Sequence, residues 1–273
     1  MRTDIHATMI ADSISPAGVR LATLAVRMPK QLVAQFNTHR AFSRNSASSR
    51  AVPVARVIRQ VEVEPFVPDL TVAGRGMVSA GEVDNATQAA FREDCLALRN
   101  EAIAFARKWG EVGHKQNVNR YLEPWMYSTV LVSATEWDNF FAQRDHIEAQ
   151  PEMRTVARAM RSAIALSIPR RVEIGDWHTP FVDDLDRGAL RLPDTLRVSV
   201  GRCARVSYLT HDGRRDYAED VALFTRMVQA SPPHWSPLEH LATPTVRPDT
   251  QSGNFTGWTQ LRHASISLQW LIP

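Results

Sequence analysis

The run Thr38-His39-Arg40-Ala41-Phe42-Ser43-Arg44-Asn45-Ser46-Ala47-Ser48-Ser49-Arg50 interleaves cationic side chains with small hydroxyl residues. Arginine offers a rigid fork of donors, serine adds neutral donors, and small residues let the backbone approach a ligand. That combination suits an anion with several oxygens, and a phosphate-bearing ligand is the natural inference. The charge is local. From Ser13 to Val61 there are eight Lys or Arg and no Asp or Glu, although the chain as a whole carries 32 basic and 29 acidic residues. An ordinary solvated face mixes both signs.

A second cluster, His234-Trp235-Ser236-Pro237-Leu238-Glu239-His240, puts two histidines and an acid in one short segment. The histidines are too far apart for the helical zinc pattern, and no cysteine supports a site, so no metal is expected. Ser236 and Glu239 read instead as a Ser-x-x-Glu helix start whose amides could face an anion. There is no Gly-x-Ser-x-Gly elbow, no phosphate-binding P-loop and no dinucleotide fingerprint. Arg144, after Phe140-Phe141-Ala142-Gln143, reads in isolation as an ordinary surface arginine.

The elements that must position these residues can be read in outline. Val19 to Met28 alternates as a strand, and Pro29 opens a helix whose stripe is Leu32, Val33 and Phe36. The basic run therefore falls at a helix end and the loop after it. Residues 51–84 hold several Pro and Gly and read as irregular. A long helix capped by Asn85 follows, with Phe91, Cys95, Leu98, Ala102, Phe105 and Trp109 as its buried stripe and Gly110 and Gly113 ending it. Further helices are expected over 151–168 and 216–229. Arg197 to Tyr208 suits a strand leading to a turn at His211-Asp212-Gly213. With no linker or charge block, the expectation is one α+β domain over residues 1–273.

Composition removes whole classes of function. A net charge of +3 is too small to imply direct nucleic-acid binding, and no apolar run is long enough to span a membrane. Cys95 and Cys203 cannot build a disulfide framework, and Cys95 reads as a small buried hydrophobe. Without a signal-peptide core at Met1 to His6, a reducing cytoplasmic location is expected.

Taken together these segments resemble the flavin-dependent thymidylate synthases. Thr38-His39-Arg40 through Ser48 and Arg50 is similar to that family's Arg-His-Arg signature and its spaced Ser and Arg. Gln35 stands three residues before the signature, where the family has a substrate-contacting Gln. Arg120 through Pro124, Asn139 to Arg144 with Ala149-Gln150-x-Glu152, Ala204-Arg205-Val206-Ser207-Tyr208, and His234-x-Ser236-Pro237-x-Glu239-His240 resemble four further family blocks. The last two usually precede the signature, so the resemblance implies a circularly permuted chain, feasible where termini lie close together.

The resemblance implies an α+β fold and reductive methylation of dUMP to dTMP. Methylenetetrahydrofolate would give the carbon, reduced FAD the hydride, and NADPH would recharge the flavin. Gln35, Ser48, Arg50 and Arg120 would hold the pyrimidine deoxynucleoside monophosphate. Arg144 would contact the ring and stabilise its negative charge, making it the catalytic residue. His39, Arg40, Asn139 and Ser236, with Glu239 in the same turn, would seat FAD, and His234 would lie near flavin or folate. A homotetramer with shared active sites is implied. Thr38 and Ser46 replace a family Arg and acid, and Ser133 and Thr135 replace an Asn and an Arg that contact FAD. Arg262-His263 could restore that charge or be an ordinary C-terminal pair. Two other readings stay open: methylation or hydroxymethylation of dUMP or dCMP for modified DNA, and a nucleotide-binding homologue without activity.

Overall fold

The computed structural model describes residues 4–75, 78–207, 215–264 and 271. Two long strands, β1 (His6–Ile14) and β2 (Arg20–Pro29), form an antiparallel hairpin. A 3-10 turn and α1 (Val33–Phe36) lead to the short strand β3 (Ser43–Ser46), then α2 (Val54–Val63), α3 (Asn85–Trp109) and α4 (Lys115–Val118). The chain returns through β4 (Tyr127–Ala134), α5 (Asp138–Arg144), α6 (Pro151–Ala165) and β5 (Arg170–Arg171). After it come α7 (Asp184–Ala189), α8 (Leu192–Ser207), α9 (Tyr217–Gln229) and the short strands β6 (Ala242–Pro244), β7 (Gln251–Ser252), β8 (Phe255–Thr256) and β9 (Trp258–Gln260).

The main sheet has the order β3-β4-β2-β1-β5 and is antiparallel except for the parallel β1–β5 pair. Side chains alternate across a strand, and β4 uses both faces. Val130 and Val132 join Leu24, Val26 and Met28 against Met153, Val156 and Met160 of α6. Leu131 points into a second core with Leu196, Val200 and Cys203 of α8 and Phe224 and Val228 of α9. The mixed α+β fold expected from sequence is therefore present, with the sheet between two helical layers.

Four expectations need correction. Arg197–Ser207 is helical, not a strand, because Leu196, Val200 and Cys203 recur at helical spacing and bury one face of α8. Gly201 lets α9 approach closely, since a Cβ there would lie 2.2 Å from the Asp220 carbonyl oxygen. The expected turn at 211–213 lies outside the described residues. Within 51–84, expected to be irregular, residues 54–63 form α2, which buries Val57, Ile58 and Val61.

The third correction concerns α3. Its limits match, with Asp84 capping through Ala86 N and Thr87 N one residue before the predicted Asn85. Its predicted stripe, however, is only partly covered: Phe91, Cys95 and Ala102 are half-buried, and Leu98, Phe105 and Trp109 are exposed. Leu98 is 63 % exposed and Trp109 44 %, while Ile103 and Ala106 are the buried positions. Cys95 on that face is only partly buried. A helix packed along one line against α2 and the 119–125 turn leaves its second apolar line uncovered. Lastly, the Ser236–Glu239 turn carries no side-chain cap, and Glu239 instead pairs with Arg262.

Candidate active site

Residues 38–50 wrap around β3, and their two ends reach different surfaces. The first end closes a cavity of about 760 Å³. Its walls include His39 and Arg40 from the basic run, Asn139 from α5, and the rings of Phe42, Trp137 and Phe140. The aromatic wall is continuous, with Phe42 and Phe140 ring centroids 5.1 Å apart and Phe42 and Trp137 4.9 Å apart.

Behind this wall, Arg144 Nε donates to His39 Nε2 at 2.8 Å. His39 is buried, with its ring edge-on to Phe140 at 4.9 Å. Burial, then the neighbouring Arg144 and Arg44 charges, depress its pKa from 6.5 to about 4. A neutral imidazole is required to accept from a guanidinium. The Arg44 side chain donates to the His39 carbonyl, which fixes the backbone at the same point. The two residues that the resemblance gives separately to cofactor and substrate are thus one hydrogen-bonded pair, and neither terminal nitrogen of Arg144 has a protein partner among the described residues.

The other end, Ser48 to Arg50, lies on a separate surface. Arg50, Arg120 and Tyr121 line a cavity of about 600 Å³ with Gln116 and Asn117. Ser48 Oγ accepts from Arg50 N, and its own hydroxyl hydrogen remains available. Three donors that the sequence reading did not single out fasten this loop through its carbonyls. Lys30 Nζ reaches Ala47, Lys115 Nζ reaches Ala51, and Asn119 Nδ2 reaches both Ser49 and Val52. Desolvation lowers the Lys30 pKa, opposed by the charge of Glu123. Glu123 Oε1 accepts from Ser49 Oγ at 2.6 Å and Arg120 Nη1 at 3.1 Å. Arg50 is exposed and makes no ion pair among the described residues. Gln35 sits in α1 with a buried Oε1 that lacks a partner among the described residues.

His234, Ser236 and Glu239 do not line the first cavity. His234 and Ser236 are exposed on a turn that packs against α8 and β3. The reason is the use made of the adjoining residues. Gln260 Nε2 donates to Ser43 Oγ and the Glu239 carbonyl, and Asn254 Nδ2 to the Phe42 carbonyl, so the 251–260 segment clamps the turn to β3. Ser133 and Thr135 take part in the same fastening. Thr135 Oγ1 accepts from Thr256 N at 3.1 Å, and Ser133 belongs to a fully buried chain of hydrogen bonds. From Ser13 Oγ that chain runs to His178 Nδ1 (2.8 Å), from His178 Nε2 to Thr23 Oγ1 (2.8 Å), then to Ser133 Oγ (2.5 Å) and His240 Nδ1 (2.8 Å). Desolvation holds both imidazoles neutral, each with a pKa of about 3. Among the described residues His240 Nε2 has no partner. The sequence does not reveal this chain, because its members come from five separate segments.

The family model for thymidylate synthase complementing protein matches residues 5–170. The chain belongs to that family and is a thymidylate synthase-like methyltransferase. The match ends before α7, α8 and the 234–240 turn. No curated protein matches the chain. Among solved structures, a UMP/dUMP methylase, PolB from Streptomyces cacaoi, bound with 5-Br UMP, is 18 % identical with a TM-score of 0.51. The likeness covers 60 % of this chain and 90 % of that one, and it shows a shared fold. No helix of the described residues is long and apolar enough to cross a membrane.

Proposed function

We propose that the chain methylates dUMP to dTMP, with methylenetetrahydrofolate as carbon donor, FAD as the bound cofactor and NADPH as its reductant. The observation that carries this reading is the Arg144–His39 pair behind an aromatic cavity. Arg144 is cationic at any working pH and is held by its Nε, so its terminal nitrogens can bind O2 and N3 of a pyrimidine. A fixed donor aimed at developing charge needs no reorganisation during reaction. That activation makes a cysteine nucleophile unnecessary. Cys203 is consistent with this, because full burial raises its thiol pKa.

The first cavity fits a flavin ring in kind. Its volume falls within the range of cofactor pockets, its wall is aromatic, and Arg40, Asn139 and Gln143 supply polar edges. When bound, FAD would supply the hydride. His39 would act here chiefly by holding Arg144, and Ser133 and Thr135 by fastening the fold. His234, Ser236 and Glu239 would approach the cofactor only from their own turn, outside that wall. Ser48, Arg50 and Arg120 would take the nucleotide phosphate, with Gln35 nearby in sequence. The cavity that His39 lines and the Arg50–Arg120 surface are separate, which supports an assembly, a homotetramer, in which one copy completes the site of another. The uncovered Leu98–Trp109 face of α3 gives such an assembly apolar surface to bury. The permuted order, a single domain over 1–273 and a cytoplasmic location complete the reading. Close packing of α8 and the 234–240 turn on β3 supports the permutation.

A visible spectrum of the purified protein, before and after adding FAD, tests the reading. Flavin absorbance that stays with the protein on gel filtration is expected. A protein that neither carries nor binds FAD would be a nucleotide-binding homologue without this activity.

A further inference from the structure

A third cavity lies at the end of the family-matched segment, between β5 and α7, with a volume of about 230 Å³. Arg170 and Arg187 both line it. The two guanidiniums are close enough for Arg187 to lower the pKa of Arg170, although burial is the larger cause. Neither is held by a close carboxylate. Arg170 Nη2 donates to the Trp177 carbonyl and forms no ion pair among the described residues. Arg187 reaches Thr179 Oγ1 and Asp184 Oδ1 only at 3.4 Å, and Asp184 is 97 % exposed. Exposed pairs at such distances contribute little. The arginines of α8 differ, since Arg202 and Arg205 both bind the fully buried Asp220 at 2.9 and 2.6 Å.

The floor of the cavity is built from buried Trp177, Thr179 and Thr195. Thr179 Oγ1 accepts from Arg187 and keeps its own hydrogen to donate, so the floor adds a neutral donor to two charged forks. Leu190 and Leu192 supply an apolar side. Asp176 also lines the cavity, and its charge and that of Asp184 act on Arg170; both carboxylates are exposed, so they neutralise the two arginines only in part. Two arginine forks, a hydroxyl and an apolar lip fit a phosphate group attached to an organic residue.

We propose that this cavity is a second anion site, one that takes a phosphate group and is distinct from the Arg50–Arg120 surface. Its position gives it consequence. His178, directly after Trp177 in the floor, is the outer imidazole of the buried chain that ends at His240 in the 234–240 turn.

The test uses inorganic phosphate as the probe, followed by calorimetry in an Arg50→Ala background so that the proposed nucleotide surface does not contribute. Saturable binding is expected. Arg170→Gln and Arg187→Gln should each weaken it about tenfold, the loss of one charge-assisted hydrogen bond. Absence of saturation, or an affinity in either Gln variant equal to that of the Arg50→Ala parent, overturns the site. Imidazole NMR of the otherwise unaltered protein gives a readout independent of those substitutions. Phosphate should move the His178 signals among the nine histidines, and unmoved His178 signals overturn the proposal.

Discussion

The two ends of the 38–50 run are built differently. Around His39 the chain completes its own geometry: a buried imidazole, a guanidinium held at 2.8 Å and an aromatic wall. Around Arg50 the backbone is equally well fixed, by Lys30, Lys115 and Asn119, but the charged side chain is left exposed and unpaired among the described residues. Prearranged charge inside a protein suits a reaction step, where any reorganisation costs rate. Unpaired charge on a rigid loop suits binding, where the ligand supplies the missing partner. On the proposed reading, the first end therefore does the ring chemistry and the second captures the phosphate.

The largest effect expected from this contrast is at Arg144. Arg144→Ala should lower kcat about 100-fold or more with a much smaller change in KM, as for loss of one preorganised donor. Steady-state kinetics that show a raised KM with normal kcat would erase the distinction between the two ends.

Acid should act next, and on the first end rather than the second. His39 has a folded pKa of about 4 against 6.5 unfolded, so the unfolded chain binds more protons between these values. Stability is complete above about pH 6.5 and is lost as pH falls through about 4, by roughly a few kcal/mol. His178 and His240, each near 3, extend the same loss to lower pH. Urea midpoints across this range should fall as pH falls, and less steeply for His39→Gln. A midpoint independent of pH would contradict a neutral buried His39.

Ser133→Ala would leave Thr23 and His240 Nδ1 without their shared partner, at a cost of about 1–3 kcal/mol. Thermal denaturation should register a lower Tm, and an unchanged Tm would mean the buried chain adds no stability. Arg50→Ala should be the gentlest, weakening dUMP affinity about tenfold with Tm intact. Equal nucleotide affinity would remove the phosphate role of the second end.

Strongly periodic segments were legible from sequence: α6, α9, the limits of α3 and the β2 strand all lie where the apolar pattern puts them. The α8 helix was not, because valines, serines and arginines from 197 to 206 alternate as a strand would, and only packing against α9 selects the helix. The α3 stripe shows the converse limit. Periodicity reveals that a helix has an apolar face but not whether the same chain covers it. In the candidate site, residue types and spacing located the 38–50 run that holds His39 and Arg50, whereas Arg144 stood out only through the family resemblance. The His39–Arg144 bond joins residues 105 positions apart, and the Ser13–His240 chain crosses five segments. Such contacts are set by tertiary packing and leave no local trace.

The most direct test of the account is the mass of the nucleotide after incubation of the FAD-loaded protein with dUMP, methylenetetrahydrofolate and NADPH, with dCMP in parallel. The account predicts that dUMP gains one methylene unit, becoming dTMP, and that dCMP is unchanged. A hydroxymethylated product, a reaction confined to dCMP, or recovery of both nucleotides unaltered would contradict it.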